Sequence, residues 1–370
     1  MNNVSEYIKE QSCCGCTACY AVCPTGAISM VENEEGFLFP HIDEEKCVNC
    51  GLCKKCCAFN SYEDNNNNPV IYGAKNKNID TRMQSRSGGV FTALTDYVLE
   101  NSGVVYGVAL DEEFLAYHRR VTTKEDRDSL RGSKYIQSRM EDSLKNVKKD
   151  LLDGKKVLFS GTACQLAAVK RYLNNIDCSN LLLVDIVCHG VPSPKIWKDY
   201  IQYFEAKYNG KVTSINFRNK QKYGWEGSMQ SVTINGTEYD SNLFSDLFNS
   251  GVIERKSCFK CPYKSMHRES DITLGDFWGI NNVKPEFNDH KGVSLILCNT
   301  DKGREFFTKV TGSLDVFETV AEKCKQQALS KANDYPADRD KFWKRYLMHG
   351  FRYACLYQWK IKLRRKFLKK

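Results

Sequence analysis

The chain has 370 residues, 42% hydrophobic and 12% aromatic, a balance that suits a globular protein and excludes a disordered one. No apolar run approaches the length of a membrane-spanning helix. Residues 1–12 are polar rather than signal-like, so the expected compartment is the cytoplasm. The net charge of +9 is unevenly spread: residues 1–60 hold eight acids and four bases, whereas Phe351 to Lys370 hold eight Lys or Arg and no acid. The excess therefore belongs to the tail and is read there.

The first segment carries two cysteine runs, Cys13-x2-Cys16-x2-Cys19-x3-Cys23-Pro24 and Cys47-x2-Cys50-x2-Cys53-x3-Cys57. Each has the spacing that wraps a 4Fe-4S cubane, and two in tandem make a two-cluster ferredoxin module. Three thiolates from one tight loop reach three irons; the fourth ligand comes from the other run. The expected sets are Cys13, Cys16, Cys19 and Cys57 for one cluster, and Cys47, Cys50, Cys53 and Cys23 for the other. Zinc sites read as a C-x2-C pair and a long gap, and a disulfide framework needs a secreted chain; neither fits a third Cys repeated in both runs. Cys14 and Cys56 are surplus and are read as neighbours without a ligand role. Ala58 stands where the second run lacks its proline. Eighteen cysteines, many of them clustered, point to a reducing and, for exposed clusters, anaerobic setting.

Residues 64–69, rich in Asn, read as a linker between a domain at 1–63 and a larger one at 70–350. Beyond it, strand-like runs alternate with helical patterns. Val70–Ala74 is expected as a strand and Gly89–Glu100 as a helix opened by a Ser87-Gly88-Gly89 turn. Val104–Leu110 is a strand, Glu141–Leu152 a helix and Val157–Ser160 a strand, with Gly161-Thr162 turning into a helix through Leu173. Leu181–Val187 is a strand, Lys195–Tyr208 a helix and Val293–Cys298 a strand, with a last helix near Lys302–Val310. The fold class is a small α+β ferredoxin-like domain followed by a mixed or parallel α/β domain.

Four more cysteines sit beside turn signals. Cys164 lies at a predicted helix N-terminus, where free backbone N–H groups and the dipole favour a thiolate. Cys188 ends the next strand, in Cys188-His189-Gly190-Val191-Pro192, and Cys258-x2-Cys261 forms a pair. Adjacent strand ends lie close in an α/β sheet, so Cys164 and Cys188 are expected to converge and, with the pair, to offer four ligands. A lone cysteine is usually a small buried hydrophobe, the reading adopted for Cys178, Cys298, Cys324 and Cys355. Half a zinc site remains the other reading of the pair.

These stretches resemble the family of coenzyme F420 hydrogenase/dehydrogenase beta subunits, which also includes chlorophyll-cycle reductases. The resemblance is carried by Ser85-Arg86-Ser87-Gly88-Gly89, Gly132-Ser133-Lys134-Tyr135-Ile136-Gln137-Ser138, Gly161-Thr162-Ala163-Cys164-Gln165, Cys188-His189-Gly190-Val191-Pro192-Ser193-Pro194, Cys258-x2-Cys261 and Asp271-Ile272-Thr273-Leu274-Gly275-Asp276-Phe277-Trp278-Gly279. They fall in the family's order, with Ala163 where the family usually has proline. The resemblance implies an FAD-binding domain and a third 4Fe-4S cluster on Cys164, Cys188, Cys258 and Cys261.

The candidate flavin residues are Ser87, Gly88, Gly89, Ser133, Lys134, Tyr135, Gly161, Thr162, Asp276 and Trp278. Ser87-Gly88-Gly89 before a helix can cradle a phosphate with backbone N–H groups, or simply make a tight turn. Lys134 can neutralise a diphosphate or stand solvated, and Tyr135 and Trp278 can pack on a flavin or fill the core. Asp276-Phe277-Trp278-Gly279 is like a kinase magnesium motif, but no kinase catalytic loop accompanies it. No catalytic residue is assigned. The expected function is an iron–sulfur flavoprotein oxidoreductase working with a redox partner such as ferredoxin or another oxidoreductase subunit. The alternatives are a non-catalytic electron-transfer subunit, or a reductase of a sugar, isoprenoid or pigment intermediate.

In the tail, residues 351–370, Leu356, Trp359, Leu363 and Phe367 recur at helical spacing among Lys360, Lys362, Arg364, Arg365 and Lys366. This basic amphipathic pattern suits an anionic membrane surface; a helix docked on the protein's own core is the bland reading, and nucleic-acid binding a third and weaker one.

Overall fold

The computed structural model describes residues 11–60, 62 and 68–368. The linker expected at 64–69 lies, up to residue 67, outside the described residues. The N-terminal segment holds a two-stranded antiparallel ribbon, β1 (Ile28–Glu32) and β2 (Leu38–Ile42), and two short helices, Ala18–Val22 and Leu52–Lys55. Its two cysteine runs share one backbone device. The residues on either side of the middle cysteine take positive φ in both: Gly15 (68°) and Thr17 (61°) around Cys16, Asn49 (52°) and Gly51 (73°) around Cys50. These left-handed residues curl each run into a tight loop. At Gly15 a Cβ would come 2.3 Å from Gln137 Nε2 and 3.0 Å from Leu38 O, in a left-handed conformation that favours glycine.

The remaining strands are β3 (Val70–Asn76), β4 (Val104–Leu110), β5 (Ala116–Val121), β6 (Val157–Thr162), β7 (Leu181–Ile186), β8 (Val212–Asn216), β9 (Gln230–Ile234), β10 (Thr237–Ser241), β11 (Ile272–Asp276), β12 (Ser294–Cys298) and β13 (Leu314–Thr319). Eight of them form one mixed sheet in the order β13-β3-β12-β11-β7-β6-β4-β5. Its centre is parallel (β4, β6, β7 and β11), and its flanks are antiparallel. The parallel strands read as near-continuous apolar runs because both faces are covered: Val157, Leu158, Phe159 and Leu181 to Val184 are buried.

The alternation read from sequence is present, with helix ends set by local chemistry. Gly89, at φ 81°, starts the helix Val90–Glu100. Thr162 and Gln165 close a capping box on the helix Ala163–Tyr172. Ser193 caps Pro194–Tyr208, with the proline in its first turn. The sequence reading had no place for a separate antiparallel sheet, β8-β9-β10. This sheet packs, through Val232 and Ile234, into an aromatic core with Trp197, Tyr200 and Phe244. The final helix, Phe351–Leu368, joins that core through Ala354, Tyr357 and Ile361. Those three are not the apolar face expected at Leu356, Trp359, Leu363 and Phe367. Leu356 and Trp359 stay exposed, and the Phe367 side chain lies outside the described ones.

The N-terminal segment is fastened to the sheet by buried charges. Arg255, 1% exposed, donates to Cys13 O (2.6 Å), Leu38 O (2.8 Å) and Gln137 Oε1 (3.0 Å). Arg339 forks onto the Glu35 carboxylate and also donates to Glu254 O. Tyr263 donates to Ala58 O at 2.6 Å, and Ser193 to Glu35 O at 2.5 Å.

Candidate functional site

Three parallel strands end side by side. Thr162 at the end of β6 is in register with Ile186 of β7, and Ile186 with Leu274 of β11. Residues just beyond these ends, Cys164, Cys188, Asp276 and Trp278, therefore meet at one edge, where open α/β sheets place their ligands. A cavity of about 730 Å³ opens there.

Ser87, Gly89, Ser133, Lys134, Tyr135, Gly161, Thr162, Asp276 and Trp278 all line this cavity. Gly88 does not; it stands behind the wall. Its N–H donates to Ser294 Oγ (2.9 Å), and a Cβ on it would meet Ala74 O at 2.4 Å and Ser294 N at 2.7 Å. The Ser87 hydroxyl is likewise taken, by Val293 O at 2.7 Å. Lys134 turns its amine onto Ser129 O (2.9 Å) and Arg131 O (2.8 Å), and burial lowers it to about 7. Asp276 faces Arg86 at 3.0 Å and accepts from Trp225 Nε1 at 3.2 Å, and its carbonyl accepts from Gln326. Trp278 stacks on Trp225, rings 5.1 Å apart and 9° from parallel, with the Arg86 and Arg218 guanidinium groups each 5.7 Å from its ring.

At the other side of the same cavity stand Cys164, Cys188, Cys258 and Cys261. The thiols of Cys164, Cys188 and Cys261 all act electrostatically on Cys258, whose own thiol is raised chiefly by burial. Cys164 alone of the four is drawn down, to about 7, first by hydrogen bonding with Cys14 and then with Thr162. Cys188 is pushed to about 11 and Cys261 to about 12 by burial.

In the N-terminal segment, Cys23, Cys47, Cys50 and Cys53 line one small shared cavity. Cys16, Cys13, Cys56 and Cys57 all act on the thiol of Cys19, which burial raises. Among the described residues, no group of three or more His, Cys, Asp or Glu is placed to hold a single metal ion. A cubane differs in taking its four thiolates on four separate irons.

Several residues of the site have no local signature in the sequence. Cys14 lines the main cavity and bonds to both Cys16 and Cys164, so it bridges two cysteine groups. Glu254, fully buried beside Cys258, accepts from Asn333 (3.0 Å) and faces His189 Nε2 (3.4 Å); burial raises it to about 7. Lys220 donates to Arg82 O, Ser85 O and Ser87 O (2.6, 3.1 and 3.0 Å), holding the turn before Val90. Arg86 precedes the Ser87-Gly88-Gly89 turn, Arg218 and Trp225 follow β8, and Arg255 precedes the C-x2-C pair. Each reaches across more than fifty residues, where no spacing rule operates.

Known proteins share similarity with long stretches of this sequence. Residues 71–145 match the N-terminal model of the family "Coenzyme F420 hydrogenase/dehydrogenase, beta subunit", and residues 154–323 match its C-terminal model. Residues 12–61 match the "4Fe-4S dicluster domain". The chain is similar to the F subunit of the F(420)H(2) dehydrogenase of Methanosarcina mazei, 24% identical over 341 residues, covering 85% of this chain and 87% of that one. Its N-terminal part is 35% identical over 58 residues to an uncharacterized ferredoxin of Methanocaldococcus jannaschii, covering 16% of this chain and 74% of that one. A chain of the F420-reducing NiFe hydrogenase complex of Methanosarcina barkeri aligns at 18% identity and TM-score 0.49, covering 70% of this chain and 84% of that one. Among the described residues, no helix is long and apolar enough to cross a membrane. The chain belongs to the family of coenzyme F420 hydrogenase/dehydrogenase beta subunits, as an iron–sulfur oxidoreductase subunit whose N-terminal segment is a 4Fe-4S dicluster domain.

Proposed function

We propose that the protein passes electrons, in either direction, between a redox partner and a hydride-type substrate, through three 4Fe-4S clusters and an FAD in the main cavity. The observation that carries this reading is the composition of the lining of that one cavity. Cys164, Cys188, Cys258 and Cys261 share it with Arg86, Arg131, Arg218, Arg255 and Lys325, against the single carboxylate of Asp276. Such an excess of cations suits a diphosphate, and a cavity of about 730 Å³ suits a dinucleotide-sized ligand. Arg86 Nε is buried and has no hydrogen-bond partner among the described residues; a ligand oxygen would supply one. Arg86 and Arg218 are assigned to the ligand's anionic groups, and Trp278, backed by Trp225, to its ring. When bound, FAD exchanges two electrons as a hydride with the substrate and single electrons with the clusters.

The chain's own residues order the route. Of the eighteen cysteines only Cys50 is exposed, so the set containing it is the contact point for the partner, a ferredoxin or another oxidoreductase subunit. Cys13, Cys16, Cys19 and Cys57 follow. Cys14 and Arg255 stand between that set and Cys164, at the cavity wall. The protein is assigned to the cytoplasm, with reduced coenzyme F420 as the first substrate to test. Cys258→Ser is expected to abolish reduction of the N-terminal clusters by reduced F420 while FAD stays bound. Unchanged turnover would refute the relay. Clusters without any flavin would favour the second reading, a subunit that only wires a partner enzyme.

A further inference from the structure

The C-terminal helix is docked and exposed at once. It forms an antiparallel hairpin with the helix Arg339–His349 about Gly350, with Phe342 against Tyr357 and Arg345 over Tyr353. Ala354, Tyr357 and Ile361 occupy its inner side. Arg364 and Arg365 are drawn to the protein by Asp338 (3.3 Å) and Asp246 (2.5 Å). The outer side is left with Leu356 and Trp359, 65% and 64% exposed, at the spacing of one helical turn. Next to the Gly350 turn, Leu347 and Met348 are 45% and 61% exposed. Four of the largest exposed apolar side chains thus fall on one hairpin.

The charge on the last helix has one sign, and on its neighbour only Asp340, in the first turn, is an exposed acid. Arg352, Lys360, Lys362 and Lys366 are exposed on the last helix, with Lys344 and Arg345 on its neighbour. No acid occurs between Phe351 and Lys370. A Leu–Trp pair on a convex helix surface, ringed by Lys and Arg, matches the interfacial zone of a bilayer. There the indole sits at headgroup level and the bases meet lipid phosphates. A protein groove would need to supply acids to pair these bases, whereas an anionic leaflet supplies them everywhere.

We infer that this hairpin face is a peripheral docking surface for an anionic membrane, with Leu356 and Trp359 entering the interface and Lys360, Lys362 and Lys366 contacting headgroups. The inference does not depend on the cofactors.

The full-length holoprotein is floated with vesicles of phosphatidylcholine alone and with vesicles containing phosphatidylglycerol. Anionic vesicles are expected to bind at least about tenfold more tightly, with the preference weakened by salt. Leu356→Glu with Trp359→Glu should remove binding to both. Lys360→Glu, Lys362→Glu and Lys366→Glu together should remove only the anionic preference. All these residues are exposed, and an unchanged far-UV spectrum and iron content would confirm that the variants fold. Equal binding to both vesicle types, no binding, or binding that survives both sets of substitutions would overturn the inference. So would a change in complex size caused by the apolar pair without lipid, which would assign the face to a protein partner.

Discussion

Arg255→Ala tests how the dicluster segment is held against the large sheet. The guanidinium is 1% exposed and serves three acceptors, Cys13 O, Leu38 O and Gln137 Oε1, while stacking 4.2 Å from the Phe39 ring. Its removal leaves Cys13 O and Leu38 O without that donor, and Gln137 Oε1 with only the Leu38 N–H at 3.4 Å; each lost partner costs about 1–3 kcal/mol before water enters the hole. Taking the lower half of that range for the two carbonyls and about 1 kcal/mol for the weakened amide oxygen, docking of the segment weakens by about 3–5 kcal/mol. The loss acts on local opening, because the segment has its own ribbon and loops and a chain of this size need not unfold in one step. Hydrogen exchange of peptides covering residues 12–40 is the assay. Their protection should fall by roughly a hundredfold or more, since each 1.4 kcal/mol is about a factor of ten. Peptides from the β8-β9-β10 sheet should be unaffected. A change below about tenfold would refute the claim that Arg255 fastens the segment.

Gly88→Ala sets a Cβ against two backbone atoms, Ala74 O and Ser294 N, and neither can swing aside. The cavity wall must then shift, with a loss of about 2–4 kcal/mol in stability and weaker retention of the proposed flavin; a variant that melts and binds like the wild type would show that the turn is loose. His118 is buried against Phe159, rings 5.1 Å apart, and burial holds it neutral down to about 4 from 6.5. The unfolded chain takes up a proton between these values that the folded chain does not. This contribution is therefore fully present above about pH 6.5 and is lost as pH falls toward 4, at up to about 1.4 kcal/mol per pH unit. Denaturant titrations at a series of pH values in this window should show a shallower acid slope for His118→Gln, and parallel curves would contradict the assignment.

Much of this is legible in the chain because it is written locally. Two repeated cysteine spacings and the strand–helix alternation from Val70 to Cys298 need only nearest neighbours. So does the convergence of Cys164 with Cys188, since both follow adjacent parallel strands. What is not legible depends on contacts far apart in sequence. Cys14 reads as surplus because its proximity to Cys164 arises only when Arg255 and Gln137 seat the first loop. Gly88 reads as either a phosphate cradle or a tight turn, and the choice falls only when Ser294, on a strand two hundred residues later, takes its N–H. The tail is legible in part. Its helix period is visible in the sequence, but the side that docks, through Ala354, Tyr357 and Ile361, is settled by the aromatic core it meets.

Anaerobic purification followed by iron, sulfide and flavin analysis counts the centres along the proposed electron route. The proposed three cubanes and one flavin site predict about twelve irons, as many sulfides and one FAD per chain. About eight irons with zinc at Cys258 and Cys261, or clusters with no flavin at all, would contradict it.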